Sequence, residues 1–563
     1  MLFIVVIAYW IVAGVPDGDE AERIARIMRL LGATGEEELD EQIVERFEAL
    51  ERSPLPINLA SRSRLLACGL FTSYQAASLI DYRERSGAVM SLAELGTIDG
   101  FNADFASDIA PYISFDGNPV RAGPAGHCVE ERASRSSGGW TFSTRYHFTA
   151  GDRTEAAIAW RQPVGGPGTY TFTAAAYGRR HLGKVIAGDF HARFGQGLAL
   201  WSGLTLGGIG APASLHRKPS GLSRNISWSA VGYRGLAADF SFGRWTFSGG
   251  LGMPGLRPWM EGGKPFSTAL MPILNATRYG KNGQAGITMV CRAEEGVIPL
   301  AKVSADMRAC WKGTDVFAEA AMDIISLKPA ALAGVIFPLG KAKLGALIRF
   351  YADGFTPDEA SALRSGSKST DEAGISLSGE YGNWTASIDG AWHPSSGRRS
   401  LRAIISGHAA KGSWSWKWRL SERLRTYAPE NRTDLRADAI WQRGRWTATA
   451  RLNGVISRNY GLLGYLEGMF KEDWISCSLR GALFCADHWD DRIYCYERDI
   501  PGSFSVPAFY GRGYSVSLLA YVKWRLEFGR LRAGVRATWT DKPWSDPPKA
   551  GSLALRALLA LEL

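Results

Sequence analysis

Basic side chains recur on one side of alternating runs in the last part of the sequence. Lys523 and Arg525 lie on one side of an alternating run, and Arg532 and Arg536 lie on one side of the next run. Because strand side chains point to opposite faces in turn, each run would present its positive charges on a single face. Such a face attracts anions if it lines a channel, although arginine on a polar face is also an ordinary way to stay hydrated. The candidate residues of a basic lumen are Arg451, Lys523, Arg525, Arg532, Arg536 and Arg556.

Residues with covalent, metal-binding or hydrolytic chemistry give weaker signals. The seven cysteines show neither a CxxC pair nor a metal-binding spacing. Cys485 and Cys495 fall in one loop region and form a candidate disulfide, whereas 487–491 is either a solvated acidic loop with a histidine or a cation site. Neither a serine in a G-x-S-x-G turn nor a pair of carboxylates near a histidine stands out. We predict that the chain is not an enzyme and has no catalytic residue, no metal and no cofactor.

A glycine, one further residue and a tryptophan separate alternating runs at four places. A tight glycine turn between two alternating strands indicates a β-hairpin. A tryptophan at the same place in each hairpin is typical of the aromatic belt where a membrane protein meets water. The four copies are Gly243-Arg244-Trp245, Gly382-Asn383-Trp384, Gly412-Ser413-Trp414 and Gly444-Arg445-Trp446.

The length of the runs and of the loops between them favours a transmembrane barrel over a large soluble β-protein. The run at 514–528 exceeds the roughly 9–11 tilted residues that cross a bilayer. Short glycine turns alternate with long loops, as in known outer-membrane barrels. Over 140–563 we expect an antiparallel transmembrane β-barrel of about 18–22 strands, a size at which the lumen is either a channel or plugged. The long loops are 195–226, 252–283, 353–371 and 485–513.

The front of the chain has a different character. Residues 1–15 are apolar but too short to span a membrane as a helix, and they indicate a signal peptide. Helical spacing of apolar residues at 20–31 and 36–51 predicts a helical arm over 16–52. Residues 116–139 are rich in Gly, Pro, Ser and Arg and are predicted to form a linker.

Residues 53–115 contain two copies of a helix-turn-helix pattern, in the phrase PINLASRSRLLACGL and again in SLAELGTIDGF. This segment resembles the tandem helix-hairpin-helix domain of the ComEA-like family, which implies a small all-α domain. In DNA-binding members of that family, the backbone N–H groups of the hairpins approach a phosphate and nearby basic residues neutralise it. The resemblance places that role on Gly69, Leu70, Gly100 and Phe101.

The charge is distributed unevenly between the two parts of the chain. Residues 16–115 carry 9 arginines, no lysine and 18 acidic residues, a net charge of −9, whereas the whole chain carries +10. The remainder is therefore strongly basic. An acidic domain repels a polyanion such as DNA, so the charge favours a docking or packing role, including a seat in or below a basic barrel mouth.

Two glycine- and aromatic-rich stretches, 188–203 and 496–513, resemble a family of Gram-negative outer-membrane barrels that carry the same helix-hairpin-helix front end. The resemblance implies an outer-membrane location. The glycines after Phe194 allow a sharp inward bend, which predicts either a loop folded into the lumen or a barrel corner. The candidate residues of this constriction are Gly195, Gln196, Gly197 and Trp201.

These observations together predict an outer-membrane channel or receptor whose N-terminal domain lies in the periplasm or plugs the lumen. Its expected partners are the outer-membrane bilayer and a cargo that is either DNA or another anionic solute. The alternative is a scaffold that transports nothing and whose acidic domain docks a periplasmic protein.

Overall fold

The computed structural model describes residues 20–563 apart from several short internal segments. The predicted signal peptide at 1–15 lies outside the described residues, as does the first part of the predicted linker. The segments not described are 34, 37–38, 40, 116–124, 137, 151–152, 179–180, 204–208, 229–231, 255–269, 281, 295–296, 356–358, 367–369 and 429–430.

Six α-helices form one compact body at the front of the chain. Apolar residues from all six helices share one core, so the predicted arm at 16–52 packs with 53–115 as a single unit. Among the helices that the structure describes, none is long and apolar enough to cross a membrane. The helices are α1 Glu20–Leu31, α2 Glu41–Arg52, α3 Arg62–Ala67, α4 Ser73–Ser86, α5 Leu92–Leu95 and α6 Ala103–Ile109.

Local sequence explains where the last four helices begin. Ser61, Ser91 and Asn102 each accept a hydrogen bond from a backbone N–H in the first turn of the following helix. At α4, Thr72 and Gln75 cap each other reciprocally. These caps satisfy backbone donors that a helix start otherwise leaves unpaired. The helices therefore lie where the two repeats predict them, while membership of the helix-hairpin-helix family stays a prediction.

Twenty-four antiparallel strands close into a barrel around a wide lumen, since β24 pairs with β1. The strands are β1 Gly126–Ser136, β2 Gly139–Ala150, β3 Thr154–Gln162, β4 Thr169–Tyr177, β5 Leu182–Arg193, β6 Tyr233–Phe242, β7 Trp245–Pro254, β8 Met271–Tyr279, β9 Gly283–Glu294, β10 Val297–Trp311, β11 Thr314–Asp323, β12 Lys328–Leu339, β13 Ala342–Tyr351, β14 Glu372–Tyr381, β15 Trp384–His393, β16 Arg398–Lys411, β17 Trp414–Arg425, β18 Arg432–Arg443, β19 Trp446–Ile456, β20 Tyr460–Lys471, β21 Ile475–Ala486, β22 Gly511–Leu526, β23 Gly529–Lys542 and β24 Lys549–Glu562. Short strands lie outside this wall at Leu55–Pro56, Ile113–Ser114, Gly221–Arg224, Ile493–Tyr494 and Ala508–Phe509.

The predicted number of strands, 18–22, was too low. One missed strand is β1, which occupies part of the range 116–139 that the sequence assigns to a linker. Its inward residue Glu130 and its outward neighbour Glu131 are both charged, so β1 lacks the alternation by which the other strands are recognised. The inward charge is tolerated because Arg132 and Arg145 pair with Glu130.

The barrel wall is apolar outside and polar inside. In β20, Leu462 and Leu466 are 57% and 70% exposed on the outer surface, whereas Leu463 and Glu467, the residues that follow them, are buried. Alternation along a strand places these two sets on opposite faces. The single apolar exception on the inner face of β22, Leu519, is buried against Ile500 of an inward loop. Leu519 is therefore an apolar residue on an otherwise polar inner face, where Ile500 rather than lipid covers it.

Aromatic residues mark both rims of the outer surface. The four tryptophans of the repeated turns are all exposed at one end, where Gly243, Gly382, Gly412 and Gly444 adopt positive φ angles of 56 to 60°. We call this the tight-turn end; the long loops lie at the other, the long-loop end. Exposed Trp140, Trp160, Trp392 and Trp539 lie near the long-loop end. Two aromatic girdles around an apolar band are the surface that a bilayer selects.

Candidate functional site

The helical body lies inside the lumen, and we call residues 20–115 the plug. One anchor is the Glu36 carboxylate, which accepts hydrogen bonds from Arg436 at 2.9 and 3.0 Å and from Arg451 at 3.0 and 3.1 Å. Both arginines also pair with Asp438 on the wall. Burial alone would raise the pKa of Glu36, but the two guanidinium groups hold that pKa far below its usual range.

A second anchor lies on β1 and β2. Arg145 lies 3.2 Å from the plug residue Glu45 and 2.6 Å from Glu130 on the wall. Arg52 of the plug reaches the same Glu130 carboxylate at 3.6 Å. All of these groups except Arg52 are nearly fully buried, so the pairs are held out of water.

A third anchor lies on β5, β6 and β8. The Ser63 hydroxyl donates to the Asp239 carboxylate at 2.7 Å, and Lys184 pairs with the same carboxylate at 2.9 Å. The Arg62 guanidinium of the plug lies 4.5 Å from the centre of the Tyr279 ring. Anchors on three separated sectors of the wall place the plug within the barrel rather than below its mouth.

The long loop after β5 folds into the lumen, and we call its described residues, 194–203 and 209–228, the inward loop. The Glu319 carboxylate accepts hydrogen bonds from the backbone N–H groups of Gln196, Leu198 and Ala199, at 2.6, 3.1 and 3.4 Å. Ser378 and Ser387, on strands remote from β5, donate to carbonyls of the same loop at 2.5 and 3.0 Å. The loop therefore extends through the lumen to distant strands.

The predicted constriction residues all belong to this inward loop. Gly195 and Gly197 have φ angles of +56° and +85°, and a side chain at Gly195 would collide with the Glu319 carboxylate. Gln196 and Trp201 are buried. The sequence allows either a loop folded into the lumen or a simple barrel corner. The positions of these residues fit the loop folded into the lumen and do not fit a barrel corner.

A second loop, 487–510, also folds inward and neutralises part of the wall. Glu497 and Asp499 pair with Arg536, and Asp499 also pairs with Arg556. The N–H of Gly502 donates to the plug residue Glu48 at 2.6 Å. This loop brings acidic groups to a basic sector of the wall and joins that sector to the plug.

The six basic residues predicted for the lumen all lie on inward strand faces, but most have acidic partners. Arg451 pairs with Glu36 and Asp438, and Arg532 pairs with Glu562 at 2.7 Å. Lys523 lies 5.6 Å from the centre of the Tyr521 ring, and Arg525 is exposed. Much of the positive charge that the sequence reveals on β19 and β22–β24 thus contributes to internal ion pairs.

A crevice of about 380 Å³ runs between the plug and the wall, from the chain end at Leu563 to the inward loop. Among the described residues, its lining contains eight arginine or lysine side chains and two acidic side chains, Glu155 and Glu562. The cationic residues are Arg46, Arg52, Arg64, Arg145, Arg193, Arg217, Lys218 and Arg224. No local pattern in the sequence connects this set, because its members come from the plug, two wall strands and the inward loop.

The hairpin residues predicted to meet DNA phosphates lie in two different places. Gly69, with φ +73°, lines the crevice, and Leu70 beside it is 2% exposed. A side chain at Gly69 would meet the Arg46 guanidinium at 2.8 Å. Gly100, with φ +84°, instead packs against Tyr74, and Phe101 contacts neighbouring phenylalanines of the plug.

The cysteines contribute no covalent links. All seven are unpaired, so the candidate disulfide between Cys485 and Cys495 is absent. Cys495 is buried beside Arg451, and Cys68 lines the crevice. Burial raises the pKa of the Cys68 thiol to about 11, which keeps the thiol protonated and unreactive at neutral pH.

No protein-family model and no curated protein sequence matches the chain. Among solved structures, OccK10 (OpdN) of Pseudomonas aeruginosa is 12% identical over 52% of this chain and 93% of its own, with a TM-score of 0.29. OprD of Pseudomonas aeruginosa is 9% identical over 80% of this chain and 99% of its own, with a TM-score of 0.29. A chain of the E. coli P pilus tip assembly intermediate PapC-PapD-PapK-PapG is 11% identical over 78% of this chain and 61% of its own, with a TM-score of 0.42.

Likenesses this distant carry no argument about function, and the location follows from the barrel itself. A closed antiparallel wall leaves no unpaired strand edge, and its outer face is apolar between two aromatic girdles. A closed barrel is the form in which strands can cross a bilayer, since every backbone polar group is then paired. The chain is an outer-membrane β-barrel protein.

Proposed function

We propose that the chain is a plugged outer-membrane channel that conducts anionic solutes when the plug leaves its seat. The observation that carries this proposal is the position of residues 20–115 inside the lumen, held by anchors on three sectors of the wall. A lumen of 24 strands is too wide for wall side chains to fill, so the plug and the two inward loops supply the closure.

The chemistry of the seat supports a plug that moves. The plug has its own apolar core, to which the wall and loops add few residues, notably Tyr279 and Tyr496. The plug is also held to the wall by ion pairs and hydrogen bonds, such as those of Glu36 and Ser63. Polar interfaces within a chain are those across which domain motion is expected, because separation exposes no core. The plug can therefore leave its seat while remaining folded.

The charge of the crevice supports anions as the cargo. Eight cations and two carboxylates line the space beside the plug, and a basic passage raises the local concentration of anions. The size of the crevice, about 380 Å³, suits a small anion better than a nucleic acid. DNA contact through the hairpins stays a prediction from the family resemblance, to which the burial of Leu70 lends no support.

Conductance in planar lipid bilayers tests the proposal with two variants of opposite effect. Deletion of 20–115 should raise the mean conductance, with a reversal potential that shows anion selectivity in a salt gradient. The double variant Ser63→Cys, Gly183→Cys should form a disulfide, because a Cβ at Gly183 would lie 3.1 Å from the Ser63 Cβ. This lock should abolish openings until a reductant is added, and the single variant Ser63→Cys is its control.

Two results would contradict a moving plug. One is equal conductance of the intact and the plug-deleted protein. The other is unchanged opening of the locked protein under oxidising conditions, with the disulfide confirmed by mass spectrometry. Either result would favour the alternative, a scaffold that docks a periplasmic protein. Exposed Met90 and Leu92, 74% and 37% accessible on the plug, are the candidate contact for such a partner.

A further inference from the structure

We propose that the end of the crevice beside the inward loop binds a small oxyanion of the phosphate class that carries more than one negative charge. We call its lining the oxyanion site, formed by Arg46, Arg193, Trp201, His216, Arg217 and Lys218. The inference rests on the proposed function for its biological meaning, because it names the solute that the plugged lumen would hold. The binding itself can be measured without reference to transport.

Two nearly buried side chains in this site have polar atoms without hydrogen-bond partners. His216 is 9% exposed and neither of its ring nitrogens is paired, while Trp201 is 8% exposed and its indole Nε1 is unpaired. Both side chains line the crevice. A buried donor without a partner is costly, and a ligand oxygen would remove that cost. Burial and neighbouring cations hold the pKa of His216 well below its usual range, so its neutral ring offers one N–H donor.

Lys218 is the buried cation of the site whose surroundings the structure defines best. Lys218 donates to the carbonyl oxygen of Leu30 at 3.0 Å, and its ammonium has no carboxylate partner within the described part of the chain. Burial, together with Arg308 and Lys343 on the wall and Arg46 on the plug, lowers the pKa of Lys218 to about 7. An anion bound here would relieve repulsion among these cations and favour the charged lysine.

The two carboxylates that line the crevice are already engaged elsewhere. Glu155 pairs with Arg224 and lies 3.8 Å from Arg64, and Glu562 pairs with Arg532 at 2.7 Å. Neither carboxylate is free to neutralise Lys218. Several cationic side chains that line one site favour a multiply charged ligand over chloride or a simple carboxylate.

The site is assembled from three parts of the structure. Arg46 belongs to the plug helix α2, Arg193 ends β5, and the other four residues belong to the inward loop. Gly69 leaves the space that the Arg46 guanidinium occupies, since a Cβ there would lie 2.8 Å from Arg46 Nη1. The site is complete only when the plug is seated, so a bound oxyanion should stabilise the seated plug.

Isothermal titration calorimetry of the full-length protein in detergent micelles tests the proposal, with inorganic phosphate, sulfate and acetate as probes at low chloride. Phosphate and sulfate should bind, and acetate should bind at least tenfold more weakly. His216→Gln and Lys218→Gln should each weaken phosphate binding about tenfold or more. Lys523→Gln, which removes a lumen cation outside the crevice, is the matched control and should bind as the parent protein does. Heat-modifiable migration on gels checks that each variant is folded.

Absence of phosphate binding by the unmodified protein at millimolar concentration would overturn the proposal, as would equal affinity in the two site variants. Equal affinity for acetate and phosphate would overturn the multiply charged ligand. Failure of this site is distinguishable from failure of the channel. If the disulfide-locked protein stays closed but the protein does not bind phosphate, the plugged channel stands and the oxyanion site falls. If the protein binds phosphate but deletion of the plug leaves the conductance unchanged, the oxyanion site stands and the plugged channel falls.

Discussion

Removal of the Glu36 charge should release the plug. Glu36 receives four hydrogen bonds of 2.9 to 3.1 Å from Arg436 and Arg451, both of which are largely buried. Glu36→Gln keeps the size of the side chain but leaves these two arginines with Asp438 as their remaining acidic partner. The perturbation acts on one anchor of the seat and leaves the core of the plug unchanged.

The structure sets the expected size of this effect. Removal of one partner from a buried ion pair costs about 3–5 kcal/mol when the other partner stays buried and unpaired. Asp438 still compensates part of the charge, and the glutamine oxygen still accepts a hydrogen bond, so we expect about 2–3 kcal/mol. Because every 1.4 kcal/mol is a factor of ten, the ratio of released to seated plug should rise about 30- to 150-fold.

Single-channel recording in planar bilayers measures this ratio as open probability. The matched control is Asp81→Asn, which breaks an exposed pair with Arg85 on the surface of the plug. An exposed pair contributes about 0–1 kcal/mol, so the control should change the open probability fivefold at most. An open probability of Glu36→Gln within twofold of the parent protein would show that Glu36 does not hold the plug, and an equal rise in the control would show that the burial of Glu36 does not matter.

Four further predictions follow from the structure. The pKa of Glu36 is depressed in the folded protein, so the stabilisation of the seated plug by this carboxylate is present above the unfolded pKa and is lost only as pH falls through the lower folded pKa. Open probability should therefore stay constant from pH 8 to pH 5. Release of the plug within that range would contradict this prediction. Sulfate keeps its charge over the neutral range, whereas Lys218, with a pKa of about 7, becomes neutral as pH rises. The affinity for sulfate, measured by calorimetry, should therefore fall between pH 6 and pH 8. Lys218→Gln should abolish this trend. Glu319→Ala should free the inward loop and expose it to cleavage by trypsin. An inward loop that trypsin leaves uncut in this variant would show that the Glu319 carboxylate does not hold it in place. Leu466→Arg on the lipid face should lower the unfolding free energy in vesicles by about 2–4 kcal/mol, and Tyr460→Arg at the rim by about 1 kcal/mol or less, whereas equal effects would contradict the proposed membrane position.

Several features of the fold could be predicted from local sequence. The outward face of β22, the tight glycine turns and the rim tryptophans follow from a period of two and from short-range turn chemistry. The helix starts at Thr72 and Asn102 follow from capping side chains next to the backbone that they serve. Each of these signals involves residues within a few positions of one another.

The strand count and the position of β1 were wrong for a related reason. The lipid imposes alternation only on the outer face, while the plug imposes its own demands on the inner one. β1 departs from the pattern because Glu131 places a charge on its outward face, where an apolar residue is expected, while Glu130 faces Arg145 and the plug. Leu519 of β22 is the opposite case, an apolar inward residue that a folded loop covers.

An acidic helical domain, a basic barrel and its membrane surroundings can all be predicted from the sequence, because composition and periodicity are properties of short stretches. The position of the domain in the lumen depends on tertiary contacts, since Glu36 meets Arg436 across 400 positions of the chain. The tertiary structure also decided which charges are neutralised. Arg536 pairs with Glu497 of the loop 487–510, whereas Lys218 lines a cationic crevice that no local pattern predicts. Charges act through space rather than along the chain, so their balance is fixed only when distant segments are brought together.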